Sequence, residues 1–376
     1  MKFKTKPKSI TKINTLLIDG EGLLKQGFYG AKQVQTENGS VGAIFFFINM
    51  IKRFYQDFGI TKVVVFWEGK DSKLYRQCYY SYYKKNREDK VDNEAERHDL
   101  DHKRIRVKQY LEELFIRQVE IDGCEADDGI AYYVKNSPNE NKLIYTNDRD
   151  LLQLISDDTK VYLSNKKAII NKENFTNYFD YHYSNVGIIK MIAGDSADNI
   201  SGLENIGEVK ALKLFPELKK QPLTTDWIIK RTNQLLIDDP KNKSLITIKE
   251  GKTKWGMYGN DYFLVMSKVI SLDTPNVTDD LKIAIKEMVE DYLSPEGRGG
   301  VNTIMDMMKE DQLLTFLPSY DDGFFVFWSS FITIINKEKK FYEENKKLEN
   351  EHNNSNSNDN DDDNYYSAEQ ERAERF

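Results

Sequence analysis

Apolar runs and amphipathic segments alternate over the first half of the chain. Three runs are short and apolar enough to predict buried strands, and they cover residues 14–19, 62–69 and 142–148. Residues 117–122, RQVEID, predict a weaker strand. Residues 125–136 carry apolar side chains at helical spacing, and a further helix is predicted to open at Asp150. Strands that alternate with helices in this way are typical of a parallel α/β sheet with helices packed against it.

Residues 40–57 predict a longer amphipathic helix that begins at Ser40, a residue type favoured at helix N-caps. Its predicted apolar face consists of Ile44, Phe47, Ile48, Ile51 and Tyr55. Residues 160–170 predict a hairpin at the edge of the sheet, with SNKK as its turn. These elements complete a predicted N-terminal α/β domain over residues 1–185.

From residue 186 onward the apolar positions follow helical spacing, and no further strand is predicted. A turn with a glycine at each end, GLENIG (residues 202–207, the glycine turn), separates two helical patterns. The composition becomes polar and charged near residue 337. The sequence therefore predicts a helical domain over residues 186–336 and a charged, largely disordered tail over residues 337–376.

Composition excludes several classes of protein. The 376 residues are 39% hydrophobic, and the two cysteines cannot form a disulfide framework. No run approaches the ~20 apolar residues of a membrane span. Membrane proteins and secreted disulfide-rich proteins are therefore not expected, and the cytoplasm is the expected location.

The negative net charge of the chain is concentrated in its last residues. Residues 349–376 contain nine acidic and two basic residues, so the overall charge of −7 leaves residues 1–348 neutral. If this neutral part also gathers carboxylates around metal ions, the rest of its surface must be basic. A nucleic-acid partner is therefore compatible with the charge of the chain.

Acidic residues lie where the predicted strands end. Six of them end strands or begin the helices that follow: Asp19, Glu68, Glu125, Asp127, Asp148 and Asp150. Two more, Asp195 and Asp198, come early in the helical region. The carboxyl ends of parallel strands meet at one edge of a sheet, so we expect these eight side chains, the acidic cluster, to converge there.

The acidic cluster requires cations, because carboxylates a few ångströms apart repel one another strongly. Oxygen ligands without histidine or cysteine favour Mg²⁺ or Mn²⁺. Two such ions about 4 Å apart are a usual arrangement for phosphodiester hydrolysis. For any single residue, a role as a helix cap is the simpler interpretation. For all eight residues together, capping is a poor explanation.

Residues 72–88 combine basic side chains with five tyrosines. The basic residues that stand out are Arg76, Lys84, Lys85 and Arg87. Lysine and arginine bind phosphates and aromatic rings stack on bases, so the segment suits a nucleic acid. An amphipathic helix with an aromatic core face explains the same pattern about equally well.

The glycine turn is a third candidate for function. A turn that opens a helix presents backbone N–H and C=O groups to a phosphate, or to a cation that bridges one. Lys210 and Lys213 follow it closely along the chain. An ordinary corner between two helices is the alternative interpretation.

Together these segments resemble the 5′-nuclease family, which includes flap endonucleases and the 5′-exonuclease domain of bacterial DNA polymerase I. Four motifs within about residues 14–275 carry the resemblance: LLIDG, FWEGKDSKLYRQCYYSYYKKNR, EADD followed by TNDRDLLQL, and GDSADNISGLENIG. They are most similar to the motifs of bacteriophage 5′-nucleases such as the T-even phage RNase H. The resemblance implies a PIN-like parallel sheet flanked by helices, and a helical domain with a helix–three-turn–helix motif.

The resemblance also implies roles for individual residues. A first metal ion would be held by Asp19, Glu68, Glu125 and Asp127, and a second by Asp148, Asp150, Asp195 and Asp198. Lys84 and Arg87 match the basic pair that contacts the scissile phosphate, and Arg76 matches a basic position near it. Residues 80–112 match the helical arch that the 5′ strand passes. The implied DNA-binding residues are Tyr83, Lys85, Gly202, Leu203, Ile206, Gly207 and Lys210.

Three positions depart from the family pattern. Glu68 replaces the usual aspartate, Asn205 stands where a glycine is usual, and Glu208 replaces a common proline. Asparagine tolerates left-handed backbone better than most residues, so we expect the glycine turn to survive. Glu208 adds an acid near the expected DNA-binding surface.

The sequence thus predicts a 5′-nuclease that uses two Mg²⁺ or Mn²⁺ ions, binds K⁺ at the helix–three-turn–helix motif, and acts as a monomer. Its implied substrates are DNA with a 5′ flap, a nick or an RNA primer, and its implied role is primer removal in bacterial or phage DNA replication. A sliding clamp or a single-strand-binding protein is the candidate protein partner.

The alternatives are a PIN-type ribonuclease and a structure-specific DNA-binding protein without catalysis. The glycine turn, Asp195 and Asp198 argue against the first, and the eight retained acids argue against the second.

Overall fold

The structure is a computed structural model that describes residues 13–37, 39–87, 94–290, 293–298, 300–317 and 323–356. Residues 88–93 of the predicted arch and residues 357–376 of the predicted tail lie outside this part of the chain. Within it, no helix is both long enough and apolar enough to cross a membrane.

A six-stranded sheet forms the centre of the fold. In chain order the strands are β1 (Thr15–Asp19), β2 (Gln35–Thr36), β3 (Gly39–Ser40), β4 (Lys62–Phe66), β5 (Arg117–Val119), β6 (Lys142–Thr146), β7 (Thr159–Leu163), β8 (Ala168–Ile170), β9 (Lys252–Thr253) and β10 (Gly256–Met257). The central sheet has the order β5–β4–β1–β6–β7–β8, and only β8 is antiparallel to its neighbour. The predicted parallel α/β sheet and its edge hairpin are confirmed.

Helices cover both faces of this sheet. They are α1 (Gly20–Gly30), α2 (Gly42–Phe58), α3 (Leu74–Tyr79), α4 (Glu94–Glu113), α5 (Ala126–Asn136), α6 (Val186–Ala193), α7 (Glu208–Leu214), α8 (Thr225–Asp238), α9 (Lys243–Lys249), α10 (Tyr262–Ile270), α11 (Asp279–Glu290), α12 (Val301–Glu310) and α13 (Gly323–Asn356). Two short 3₁₀ helices matter for the site, Lys85–Arg87 and Asp150–Leu154.

The central strands are apolar throughout because both faces of the sheet are buried. Successive residues of a strand point to opposite faces, so Leu17 and Val64 join one hydrophobic cluster while Leu16 and Val63 join the other. The first cluster also contains the apolar side chains of α5 to α7 and α10. The second contains those of α1, α2 and α4.

The C-terminal helices belong to the second cluster, although the sequence placed residues up to 336 in the helical domain. Ile304 of α12 and Phe331 of α13 are buried together with Phe47 of α2. The buried apolar side chains of helices α6 to α11 belong to the first cluster instead. Helices α12 and α13 therefore pack against the α/β part of the chain, because their buried apolar side chains share the second cluster with those of α2 and α4.

The prediction of a disordered tail from residue 337 is wrong for residues 337–356, which continue helix α13. Glu338 forms a buried ion pair with Arg117 of β5 at 2.6 Å, and Arg117 also donates to the Val289 carbonyl at 2.7 Å. Tyr342 is buried as well and donates to Glu296 at 3.2 Å. These contacts order a segment whose composition alone suggested disorder.

Some predicted element boundaries also differ from the structure. Helix α2 begins at Gly42 after the N-cap Val41, which makes no side-chain capping bond, so Ser40 is not its cap. Asp150 opens only a short 3₁₀ helix, because the chain must enter β7 a few residues later. The helical region also contains the small antiparallel pair β9 and β10, which the sequence did not indicate.

We predict that α13 contributes to the stability of the whole fold. Phe331→Ala, which empties a fully buried position, should lower the free energy of unfolding by about 3–5 kcal/mol. Phe341→Ala on the same helix removes a side chain that is 40% exposed, and should change it by less than about 0.5 kcal/mol. Equal effects of the two changes in denaturant titrations would show that α13 does not pack as described.

Candidate active site

Hydrogen bonds tie the ends of β1 and β6 together at the carboxyl edge of the sheet. Asp19 ends β1 and caps α1, because its side chain accepts a hydrogen bond from the Gly22 amide at 2.8 Å. Its second oxygen accepts from the Thr146 hydroxyl at 3.1 Å, and the Asp148 amide donates to that hydroxyl at 2.9 Å. Asp19 and Asp148 are thereby held on neighbouring strand ends.

The next acids are placed by the starts of two helices. Glu125 precedes α5 as its N-cap residue and is only 1% exposed, and Asp127 lies in the first turn of α5. The Asp150 amide donates to the Asp148 carboxylate at 2.8 Å. Glu68, directly beyond β4, accepts from the Ser72 hydroxyl at 3.2 Å.

The electrostatics of these acids show that they share one region. Burial raises the pKa of Asp127, and the charges of Asp148 and Asp19 raise it further. Burial raises the pKa of Asp19 too, against the hydrogen bond from Gly22, and the charge of Asp148 adds to the increase. Because these carboxylates disfavour one another's charge, the site favours a cation between them.

Lys84 is the cation on the Glu125 side of the acidic cluster. Its Nζ lies 2.5 Å from Glu125 Oε2, and its amide donates to the Asp198 carbonyl at 2.9 Å. Burial lowers the pKa of Lys84, but the charges of Glu125 and Glu68 outweigh burial and raise it above its ordinary value. Burial raises the pKa of Glu68 to about 7, although Lys84 opposes the change. Lys84 has positive φ (53°), so its backbone is held in an uncommon conformation.

Lys190 is a second buried cation, and the sequence analysis missed it. Its Nζ contacts Asp150, Asp195 at 3.0 Å and Asp198 at 2.9 Å. Burial lowers the pKa of Lys190, but these carboxylates raise it well above the ordinary value. Burial raises the pKa of Asp150 to about 7 despite the lysine. A lysine within the otherwise apolar helix α6, VGIIKMIA, was the available signal.

The donor chemistry of the acidic cluster fits divalent cations, because every candidate ligand is a carboxylate oxygen. Across the described residues, no three acidic, histidine or cysteine side chains already surround one point closely enough to hold an ion. The two lysines hold Glu125, Asp150, Asp195 and Asp198. Asp19, Asp127 and Asp148 receive no ammonium or guanidinium hydrogen bond from the described part of the chain, which leaves them available to a metal ion.

Arg76 lies beside the site but is buried and bonded within the protein. It is 4% exposed, its Nε donates to the Val269 carbonyl at 2.8 Å, and two other nitrogens bind Asp128 at 2.6 and 3.0 Å. It also pairs with Glu125 at 3.2 Å. The guanidinium is used within the protein, so its place near the site is that of a residue that holds Glu125 and Asp128. Asp128, which the sequence analysis did not select, is its main partner.

Tyr83 is also buried, at 4% exposure, and its hydroxyl donates to Glu125 at 3.0 Å. The prediction that its ring binds DNA is therefore wrong, since a buried ring cannot stack on a base. Lys85 is exposed, as a phosphate contact requires. Arg87 ends a 3₁₀ helix, and its side chain lies outside the described atoms, so its role stays a prediction. Helix α4 supplies the rest of the predicted arch.

Within the glycine turn, Gly202 and Gly207 are glycines for different structural reasons. Gly202 has φ +63°, and a Cβ there would lie 2.3 Å from the Gly194 nitrogen, so its role is close packing against the end of α6. Gly207 has ordinary φ, and a Cβ there would meet nothing within 4 Å. Its open surroundings suit a ligand that approaches the start of α7.

The side chains of the glycine turn point mostly inward. Leu203 and Ile206 are each 2% exposed, so only their backbone could contact DNA. Asn205 adopts φ 58°, the left-handed conformation expected for it. Lys210 is exposed and its Nζ donates to the Asn205 carbonyl at 3.2 Å.

Comparisons with known proteins show what this chain is similar to. A family model described as the 5′-3′ exonuclease N-terminal resolvase-like domain matches residues 14–180. The 5′-3′ exonuclease of Halalkalibacterium halodurans is 32% identical over 218 residues, which are 54% of this chain and 69% of that protein. The 5′-3′ exonuclease of Bacillus subtilis is 31% identical over 215 residues, again 54% of this chain and 69% of that protein.

The chain is also similar to part of a larger protein and to a solved structure. DNA polymerase I of Lactococcus lactis is 31% identical over 218 residues, but the match spans only 24% of that protein. The solved structure of T5 5′-exonuclease with zinc has a TM-score of 0.53 at 18% identity, covering 80% of this chain and 98% of that one. This structural similarity supports the fold and, at that identity, nothing finer.

We predict that Arg76 stabilises the protein through its buried ion pair with Asp128. Arg76→Ala leaves that carboxylate buried without its partner and should lower the free energy of unfolding by about 3–5 kcal/mol. The exposed neighbour change Lys85→Ala should leave stability almost unchanged. An Arg76→Ala protein as stable as Lys85→Ala in denaturant titrations would show that the ion pair carries no such weight.

Proposed function

The chain belongs to the 5′-3′ exonuclease family, and we propose that it hydrolyses phosphodiester bonds near the 5′ ends of DNA with the help of divalent cations. The observation that carries this proposal is the convergence of carboxylates around Lys84 and Lys190 at the carboxyl edge of the sheet. DNA with a 5′ flap, a nick or an RNA primer is the proposed substrate. Primer removal during DNA replication in the cytoplasm is the proposed role.

Asp19, Asp127 and Asp148 are the residues that would hold Mg²⁺ or Mn²⁺ first, and the carboxylates now paired with lysines would complete the ligand set. Bound divalent cations supply the Lewis-acid chemistry of phosphodiester hydrolysis. The chain's own contribution is to fix these oxygens on strand ends and helix starts, so that little reorganisation is needed when substrate binds.

Lys84 is positioned to neutralise charge that builds up on the scissile phosphate. Its ammonium is close to Glu125, and the carboxylates around it keep it protonated. Tyr83 and Arg76 hold the same glutamate from two other directions, at 3.0 and 3.2 Å. We assign them as positioning residues for Glu125, while Lys84 and the neighbouring Arg87 contact the substrate.

Duplex DNA is proposed to bind at the glycine turn through backbone groups around Gly207 and through Lys210. A K⁺ ion is proposed there too: backbone carbonyl groups of the glycine turn would hold it, and it would supply positive charge for a phosphate. The direct test of the whole proposal is cleavage of an end-labelled 5′-flap oligonucleotide with Mg²⁺, with Mn²⁺ and with chelator. Equal cleavage with and without chelator would overturn the metal-dependent mechanism, and cleavage of RNA alone would favour a PIN-type ribonuclease.

We predict that Asp148→Asn reduces flap cleavage by at least ~10²-fold, because an amide cannot balance the charge of a metal ion or orient it. Flap binding in the presence of chelator should survive. Asp157→Asn is the matched control, since that carboxylate is 91% exposed on a surface loop. If Asp148→Asn cleaved as fast as Asp157→Asn under single-turnover conditions, the assignment of Asp148 would fail.

We predict that Gly207→Val weakens the binding of duplex-containing DNA and leaves the melting temperature unchanged. The valine has room in the folded protein but would occupy the space that a phosphate needs. Gly202→Ala should instead lower the melting temperature, because the added Cβ meets backbone atoms at a position with positive φ. Unchanged duplex affinity in Gly207→Val would show that this turn is only a structural corner.

A further inference from the structure

Residues 252–257 form a short hairpin from β9 and β10 that no part of the proposed function uses. Thr253 fixes its tip, because its hydroxyl donates to the Gly256 carbonyl at 3.0 Å and accepts from the Trp255 amide at 3.1 Å. Thr253 is itself buried. The tip residues Lys254 and Trp255 are therefore presented in a defined orientation.

One side of the hairpin is joined to the glycine turn. Thr253 makes an antiparallel bridge to Leu203, and the Glu204 amide donates to the Lys252 carbonyl at 2.8 Å. The Lys252 ammonium also pairs with Glu204 at 2.7 Å. The hairpin therefore lies directly beside the proposed duplex-binding surface.

The other side of the hairpin reaches the segment that carries Lys84. The Trp255 ring stacks on the Tyr82 ring with centroids 4.5 Å apart and an angle of 12° between the planes. The Tyr82 carbonyl accepts from Asn199 Nδ2 at 2.7 Å, next to Asp198 of the acidic cluster. The hairpin thus bridges the two surfaces that the proposed function assigns to DNA.

Lys254 differs from the neighbouring lysine. Its Nζ lies 4.6 Å from the centre of the Trp255 ring, so the indole holds it by a cation–π contact. Within the described part of the chain, no carboxylate pairs with Lys254, whereas Lys252 is paired with Glu204. Lys254 is exposed, and its charge remains available to an anion.

We propose that Lys254, supported by Trp255, binds a DNA backbone phosphate between the glycine turn and the active site. The inference rests on the proposed function, since it assumes DNA bound to both surfaces. The hairpin contacts both surfaces, so we expect a strand that binds to both of them to run beside it. Its phosphates then meet a lysine whose position is fixed by the stacked pair Tyr82–Trp255 and whose charge is not neutralised.

The test measures flap-DNA affinity at several salt concentrations in chelator, together with the single-turnover cleavage rate in Mg²⁺ at saturating protein. Lys254→Gln should weaken binding several-fold at low salt and reduce the slope of log affinity against log salt by about one. The saturating rate and the melting temperature should stay at their wild-type values. Lys286→Gln, an exposed charge change on α11, is the control and should leave affinity unchanged.

Changes at Trp255 test the support of the lysine. Trp255→Phe keeps a ring for Tyr82 and Lys254 and should bind nearly as the wild type does. Trp255→Ala should show the same loss of affinity and of salt slope as Lys254→Gln. If Trp255→Ala has a much lower melting temperature, the comparison of Lys254→Gln with Lys286→Gln alone decides whether Lys254 contacts DNA.

The outcomes separate the two proposals. Wild-type cleavage of flap DNA, with Lys254→Gln binding as tightly as Lys286→Gln at every salt concentration, would overturn the hairpin contact and leave the proposed function standing. Absence of binding and cleavage in the wild-type protein would overturn the proposed function, and the inference would fall with it. A loss of affinity and slope confined to Lys254→Gln and Trp255→Ala would support the contact.

Discussion

Repulsion between buried carboxylates is the constraint around which the structure is arranged. Burial raises the pKa of Asp19 and of Asp127, and the charge of Asp148 raises both further, so this group of carboxylates is stable only if cations balance it. The chain supplies two ammonium groups of its own, Lys84 and Lys190, each in contact with carboxylates on one side of the cluster. The negative charge that these two lysines leave unbalanced makes the site suited to metal ions.

The surrounding fold keeps these charges in place. The sheet is buried on both faces, so the strand ends that carry the acids are fixed by two hydrophobic clusters. Arg76 adds a link between α3, α5 and α10 through Asp128 and the Val269 carbonyl. Because the same guanidinium touches Glu125, movement of this packing unit would also move a carboxylate of the site.

The sequence predicted what depends on local order along the chain. The central strands β1, β4 and β6 were visible as apolar runs, and acids at the ends of parallel strands share an edge, so the convergence of the strand-end acids could be expected without coordinates. Whether a polar side chain faces solvent or a partner depends on contacts far apart in sequence. Arg76 and Asp128 are 52 positions apart, and Lys190 is 40 positions from Asp150, so neither pairing was visible in a local pattern. For the same reason Tyr83, in a basic and aromatic segment, was assigned to DNA although it is buried.

The C-terminal helices show how a polar segment acquires a role through what it touches. Apolar residues such as Phe331 anchor α13, and once a helix is nucleated, extending it through a polar sequence costs little. Asp311, which follows α12, accepts hydrogen bonds from Arg106 and Tyr110 of α4 at 2.8 and 2.7 Å. Farther toward its start, α4 is held by the contact of Arg104 with Glu21 of α1 at 2.7 Å. The C-terminal half of α4 is therefore braced from two sides, by α1 and by the residue that follows α12.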